Sequence, residues 1–167
     1  MASIRGIRST RRSGFTLVEL VAIILLVGVL AFTVVPRFLT KGSIDVSVKA
    51  EQLANDIRFT QSLAMTSGRS NRIELTATTY KITTSTGGPV VHPATGSAAA
   101  ISLNNVSLGN YNPPLTNGYL AFDGKGVPYF NIVTGSVLTT PATIRLTAGS
   151  YTRDVVVSPQ TGRVNVQ

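Results

Sequence analysis

Phe15-Thr16-Leu17-Val18-Glu19-Leu20-Val21-Ala22-Ile23-Ile24-Leu25-Leu26-Val27-Gly28-Val29-Leu30-Ala31-Phe32-Thr33-Val34-Val35 is an almost uninterrupted apolar run that holds one ionisable group, Glu19, and stops at Pro36. As a helix it would measure roughly 32 Å, enough to cross the hydrocarbon core of a bilayer. An ordinary secretory signal has a shorter apolar stretch closed by a small-residue cleavage site, and no such site follows here. Arg5, Arg8, Arg11 and Arg12 precede the run, while Arg37 and Lys41 follow it. That asymmetry favours a single pass with the N-terminus in the cytoplasm and the remaining chain outside.

Composition agrees with one ordinary domain plus this appendage. The chain has 167 residues, 43% of them hydrophobic and only 13% charged, which argues against intrinsic disorder. With no cysteine there is no disulfide framework, thiolate metal site or cysteine nucleophile, and with one histidine, His92, a multi-histidine metal site is excluded. The net charge of +8 invites a nucleic-acid reading until its location is considered. Four of the fifteen basic residues lie before Gly14 and no acid does, so half of the excess belongs to the leader.

Glu19 needs an explanation, because a carboxylate inside a spanning helix costs about 2.5 kcal/mol or more and usually marks function or a partner. One turn from the membrane surface it could also simply snorkel toward water. Its surroundings are specific: Gly14-Phe15-Thr16-Leu17-Val18-Glu19-Leu20, with Arg11 and Arg12 just before and an apolar helix after. This string resembles the class III signal of type IV pilins and type II secretion pseudopilins. The resemblance implies that a prepilin peptidase cuts after Gly14 on the cytoplasmic side of the inner membrane and methylates the new amino group of Phe15. It further implies that Glu19 pairs with the N-terminal amine of a neighbouring subunit during filament growth, and that Pro36 lies where many pilins carry a helix kink. Residues 1–14 would then be the leader, 15–36 the transmembrane and assembly helix, 37–67 a helical stem and 68–167 the globular domain.

After an expected short break at Lys41-Gly42-Ser43, Ile44 to Ser67 reads as amphipathic helix. Val46, Ala50, Leu53, Ile57 and Ala64 form an apolar stripe, and Gly68 is a stop. Asp45, Lys49, Glu51, Asp56 and Arg58 are expected mostly on a solvated face. Beyond Gly68 the period changes to two. Ile73 and Leu75 pair with Tyr80 and Ile82 as a hairpin around Ala77-Thr78. Ile144 and Leu146, Val155 and Val157, and Val164 and Val166 mark a three-strand meander. Gly87-Gly88-Pro89, Asn110-Tyr111-Asn112-Pro113-Pro114 and Asn117-Gly118 read as loops, and Asp123-Gly124-Lys125-Gly126 as a tight turn. The fold class expected is α+β, a long N-terminal helix, half transmembrane and half amphipathic, packed on an antiparallel β-sheet domain.

The resemblance narrows at three further stretches: Leu53-Ala54-Asn55-Asp56-Ile57-Arg58-Phe59-Thr60-Gln61-Ser62-Leu63-Ala64, Phe122-Asp123-Gly124-Lys125-Gly126, and Val157-Ser158-Pro159-Gln160-Thr161-Gly162-Arg163-Val164. They are similar to H-type minor pseudopilins and FimT-like minor pilins, and the helix up to Pro36 is also similar to minor pilins of mannose-sensitive haemagglutinin systems. A pilin-like fold and a minor structural subunit, with other pilin or pseudopilin subunits as partners, are what this resemblance implies.

No catalytic constellation is legible, so an enzyme is not expected, nor a cofactor or metal. His92, between Val91 and Pro93, has no acid nearby in sequence and is expected to be a solvated loop histidine without a role. Asp123-Gly124-Lys125-Gly126 has one carboxylate where a calcium loop needs several oxygen ligands. Some FimT-like minor pilins bind DNA through basic residues near the C-terminus, which makes Arg145, Arg153 and Arg163 the candidate phosphate contacts. Asp154 lies among them and the tail has no dense basic cluster. The readings that follow are a pilin-like minor subunit of a type IV pilus or type II secretion pseudopilus, with a DNA-binding minor pilin and a non-polymerising, signal-anchored periplasmic binding module as alternatives.

Overall fold

The computed structural model describes residues 16–112, 114–115 and 118–167, without the side chains of residues 31–41 and 110. Arg11, Arg12, Gly14 and Phe15 therefore lie outside the described residues, as does Asn117 of the expected Asn117-Gly118 turn. Contacts divide the chain into two units, residues 1–39 and 40–167.

Helix α1 spans Leu17–Ser67. It opens on a capping residue: Thr16 Oγ1 accepts the N–H of Glu19 at 3.2 Å, and the Thr16 carbonyl accepts that of Leu20 at 3.1 Å. Thr16 and Glu19 thus occupy the first and fourth positions of a capping-box pattern. The large apolar residues that follow, through Leu30, are exposed, from 46% at Ile23 to 80% at Leu17. Among the described residues no helix is long and apolar enough to cross a membrane. The apolar run Phe15–Val35 extends at both ends past the residues whose side chains are described.

The break expected at Lys41-Gly42-Ser43 is absent, for α1 continues through it and through Pro36. One proline removes a single backbone donor without ending the helix. Gly42 serves close packing instead of termination: a β-carbon there would lie 3.1 Å from Tyr151 Cδ2 and 3.4 Å from the Ala148 carbonyl. A mid-helix glycine costs about 1 kcal/mol relative to alanine, which the tertiary approach outweighs. At the far end Gly68 adopts φ +62°, the left-handed stop its position suggested. The hydroxyls of Thr66 and Ser67 donate back to the carbonyls of Ser62 and Leu63, one turn earlier in the helix, at 2.9 and 2.6 Å.

In the second unit the expected stripe is the buried face: Val46, Ala50, Leu53, Ile57 and Ala64 are at most 1% exposed. It packs into a core shared with two antiparallel sheets. Strands β1 (Asn71–Leu75) and β2 (Thr79–Thr84) form the expected hairpin, Leu75 opposite Tyr80. Its turn has no glycine, and Thr76 Oγ1 closes it by accepting the N–H of Thr79 at 3.0 Å. With β3 (Ile101–Ser102), β5 (Tyr119–Phe122), β6 (Pro128–Asn131) and β7 (Ser136–Val137) they make a six-stranded sheet, order β3-β2-β1-β5-β6-β7. The second sheet joins β4 (Ser107–Asn112), β8 (Ala142–Ala148), β9 (Tyr151–Val157) and β10 (Val164–Val166) in the order β10-β9-β8-β4. Its strands β8, β9 and β10 are the expected meander. Alternation sends Ile144, Leu146, Val155 and Val157 inward, each fully buried, which stabilises the fold by about 1.5–3 kcal/mol per side chain.

Strand β4 (Ser107–Asn112) overturns part of a loop expectation, since Asn110-Tyr111-Asn112 lies in it. Gly109 and Asn112 pair with Arg145 and Thr143 of β8 across a register shift. Turn-forming residues become strand here because a partner more than thirty positions away imposes the conformation, and the bulge absorbs the mismatch.

Candidate functional site

The three internal stretches that carry the resemblance meet at one side chain. Gln61 sits on α1 less than two turns before its end, and its Nε2 donates to the carbonyls of Gly126 and Thr161, both at 2.8 Å. The first acceptor belongs to the Asp123-Gly124-Lys125-Gly126 turn, closed by Gly126 N–H to Asp123 O at 2.9 Å. Asp123 Oδ1 accepts the N–H groups of Lys125 and Val127, both at 2.9 Å, and Oδ2 the Tyr129 hydroxyl at 3.3 Å. That carboxylate is engaged in holding a turn, as the sequence suggested.

The second acceptor belongs to Ser158-Pro159-Gln160-Thr161-Gly162, where Ser158 N–H donates to Arg163 O at 2.8 Å. Gly162 has φ +65° and is buried. A β-carbon on it would overlap the Gln61 amide and lie 3.0 Å from Phe122 Cε1. A β-carbon on Gly126 would lie 2.8 Å from Met65 Sδ. The glycines let two turns approach one helix face closely enough for a single amide to bind both. The cluster is a joint of the fold.

His92 is not a solvated loop residue, and Asp56 is not on a solvated face. His92 is 6% exposed and Asp56 7%. His92 Nε2 lies 2.7 Å from Asp56 Oδ1, and the Tyr80 hydroxyl donates to Asp56 Oδ2 at 2.5 Å. The N–H of Ala94 points to His92 Nδ1 at 3.2 Å, so the ring donates to Asp56 through Nε2. The Phe59 ring stands edge-on to the imidazole at 6.1 Å. Burial, then the bond to Asp56, raises the Tyr80 phenol far above its ordinary value. No local pattern around Asp56 signals this, because its partners lie 24 and 36 positions away. With Tyr80 fully buried and the other two nearly so, the triad pins the loop after β2 to α1; substrate has no access to it.

The candidate arginines are not brought together. Arg145 lies directly opposite Asp154 in the β8–β9 ladder, and a forked pair joins them: Nε to Oδ1 at 2.8 Å, Nη2 to Oδ2 at 2.7 Å. This pairing, working against burial, holds the Asp154 carboxyl below its ordinary value. Arg153 faces Leu146 in the register and reaches Ser47 on α1 at 3.4 Å, so it projects from the opposite face of the sheet. Arg163 lies in the loop before β10 and is exposed. A shared phosphate-binding face for the three does not exist.

On the outer face of the first sheet Glu74 accepts from Arg72 Nη2 at 2.6 Å, Lys81 Nζ at 2.9 Å and Thr83 Oγ1 at 3.0 Å. Burial would raise its carboxyl, but the bonds from Lys81, Arg72 and Thr83 outweigh that and hold it low. The Arg72 guanidinium also lies over the Tyr119 ring, 4.8 Å from its centre. Among the described residues no group of three histidine, aspartate or glutamate side chains converges as a metal site.

No curated protein matches the chain. Among solved structures it resembles two crystal forms of the type IV minor pilin FimU of Pseudomonas aeruginosa. One has a TM-score of 0.52 at 16% identity, covering 72% of this chain and 91% of that one. The other has 0.51 at 17% identity, covering 77% and 92%. The minor pseudopilin EpsH of the Vibrio cholerae type 2 secretion system follows at 0.48 and 11% identity, covering 74% and 96%. At these identities the FimU likeness speaks for a pilin-like α+β fold. Residues 49–161, more than half of the chain, match the family described as type II transport protein GspH, and they include all three stretches that meet at Gln61 apart from the outermost positions of the last. The chain therefore belongs to the GspH family and is a minor pilin or pseudopilin of that type.

Proposed function

We propose that the chain is made as an inner-membrane precursor, cut after Gly14 by a prepilin peptidase, methylated on Phe15, and assembled through Phe15–Val35 as a minor subunit of a type IV pilus or type II secretion pseudopilus. The observation that carries this reading is the uncovered apolar face of α1, from Leu17 to Leu30. Each such side chain left in water forgoes about 1.5–3 kcal/mol, so the segment requires lipid before assembly and neighbouring helices afterwards. In this reading Glu19 pairs with the amine of an adjacent subunit. A charge unpaired in that low-dielectric bundle would be penalised, so the pairing sets the register. In the same reading Pro36 is the site of a kink within a helix that continues past it.

N-terminal sequencing of the native protein tests processing, with N-methyl-phenylalanine from Phe15 expected and an intact Met1 or Ala2 start contradicting it. Glu19→Ala is expected to leave leader removal intact and abolish filament incorporation. Normal incorporation of that variant would remove the pairing role.

A further inference from the structure

The β8–β9 hairpin ends at Gly149-Ser150, with Ala148 opposite Tyr151 as its last pair, and abuts α1 at Gly42. Between hairpin and helix lies a notch of about 70 Å³ lined by Ser43, Val46, Ser47, Tyr151, Thr152 and Arg153. Four of these side chains carry hydroxyls, one carries a guanidinium, and none carries a carboxylate. Among the described residues Arg153 reaches the Ser47 hydroxyl, at the long distance of 3.4 Å, and no carboxylate pairs with it. Its neighbour Asp154 is committed to Arg145. A guanidinium with no carboxylate partner among the described residues, in a notch of this size, suits the oxygens of a phosphate group.

Position along the chain selects the source of that phosphate. Gly42 follows Val35, the last residue of the apolar run, by only seven positions, so the chain itself tethers the hairpin's contact point closely to the end of that run. Arg37 and Lys41 fall between them, and Tyr151, 40% exposed, is of the residue type enriched at membrane interfaces. We propose that, in the membrane-held subunit, the β8–β9 hairpin tip docks on an anionic bilayer surface, with a phospholipid phosphate seated in the notch against Arg153. This rests on the membrane reading of Phe15–Val35 and adds a second, reversible attachment for the globular domain.

The full-length chain has no cysteine, so Ser150→Cys carries a single fluorophore at the tip. Lys125→Cys serves as the distant control, because its turn abuts Gly68 at the other end of the helix, and Leu25→Cys reports insertion. Each is reconstituted in vesicles of phosphatidylcholine, with and without phosphatidylglycerol, carrying headgroup or acyl-chain spin-label quenchers. The expected result is headgroup quenching at position 150 well above that at 125 in the anionic vesicles, diminishing with added salt. Arg153→Gln should lower the docked population about fivefold, the effect of one basic residue at such a surface. Acyl-chain quenching at 25 with no excess at 150 over 125 would overturn the docking and leave the membrane reading standing. No quenching at 25 would overturn the membrane reading itself and the docking with it. Protection at 150 that is equal in both lipids and grows with protein density would assign the tip to a second subunit. Release by inorganic phosphate at constant ionic strength would assign the notch to free phosphate. Either result overturns the proposal.

Discussion

The side-chain amide of Gln61 occupies the space that a β-carbon on Gly162 would need, while it donates at 2.8 Å to the carbonyl of Thr161. Residues 101 positions apart are thus fitted to each other by size as well as by hydrogen bonding, and the same amide also holds Gly126.

Substitutions at this joint should rank in a defined order. Gly162→Ala combines a left-handed φ with overlap against Gln61 and Phe122, and is expected to destabilise by more than about 2 kcal/mol. Gly149→Ala, also left-handed at φ +61° but facing open space, should cost only about 1–2 kcal/mol. Gln61→Ala leaves two carbonyls without their donor, about 1–3 kcal/mol. Urea unfolding of the three variants checks the order, and equal losses at Gly162 and Gly149 would remove the packing argument.

The Asp56 triad should behave as a coupled unit. His92→Ala and Tyr80→Phe each take one partner from a buried carboxylate and are expected to cost about 1–3 kcal/mol. Because both act on Asp56, the double variant should depart from additivity by about 0.5–3 kcal/mol. A double-mutant cycle measured by thermal unfolding tests this, with strict additivity as the contrary result.

Acid should weaken the fold through two surface networks. Glu74 and Asp154 both have carboxyls held below their ordinary values of 4.5 and 3.8. Their contribution is therefore complete above those ordinary values and is lost as pH falls through the lower folded-state ones. Both groups are partly solvated, so the effect is modest. Melting temperatures between pH 7 and pH 2 should show a shallower acid decline in the Glu74→Gln, Asp154→Asn double variant. An unchanged slope would remove these two groups as the cause.

Duplex DNA should find no shared grip on the globular domain. Arg145 is forked to Asp154, and Arg153 lies on the other face of the sheet. Arg145→Ala and Arg163→Ala are expected to leave any residual low-salt binding unchanged, as read from electrophoretic shift across a salt series. A loss of binding accompanied by a shallower salt dependence would show phosphate contacts at those residues.

The local periodicities of the sequence determined the long helix, its buried stripe from Val46 to Ala64, the Gly68 stop, the hairpin around Ala77-Thr78 and the C-terminal meander, because each depends on side-chain spacing within a few residues. It also marked Asp123-Gly124-Lys125-Gly126 as a turn, since Asp123 bonds its own neighbours. Tertiary structure decided what depended on distant partners. Gly42 reads as a break until Tyr151 is placed beside it, and Asn110-Tyr111-Asn112 reads as loop until β8 supplies a ladder. Asp56 and His92 read as solvated until they are found bonded to each other in the core, and the three arginines read as one group until strand alternation sends Arg145 and Arg153 to opposite faces. Spacing along a chain fixes which face a side chain takes, whereas a buried polar group acquires its meaning only from the partner that compensates its lost water.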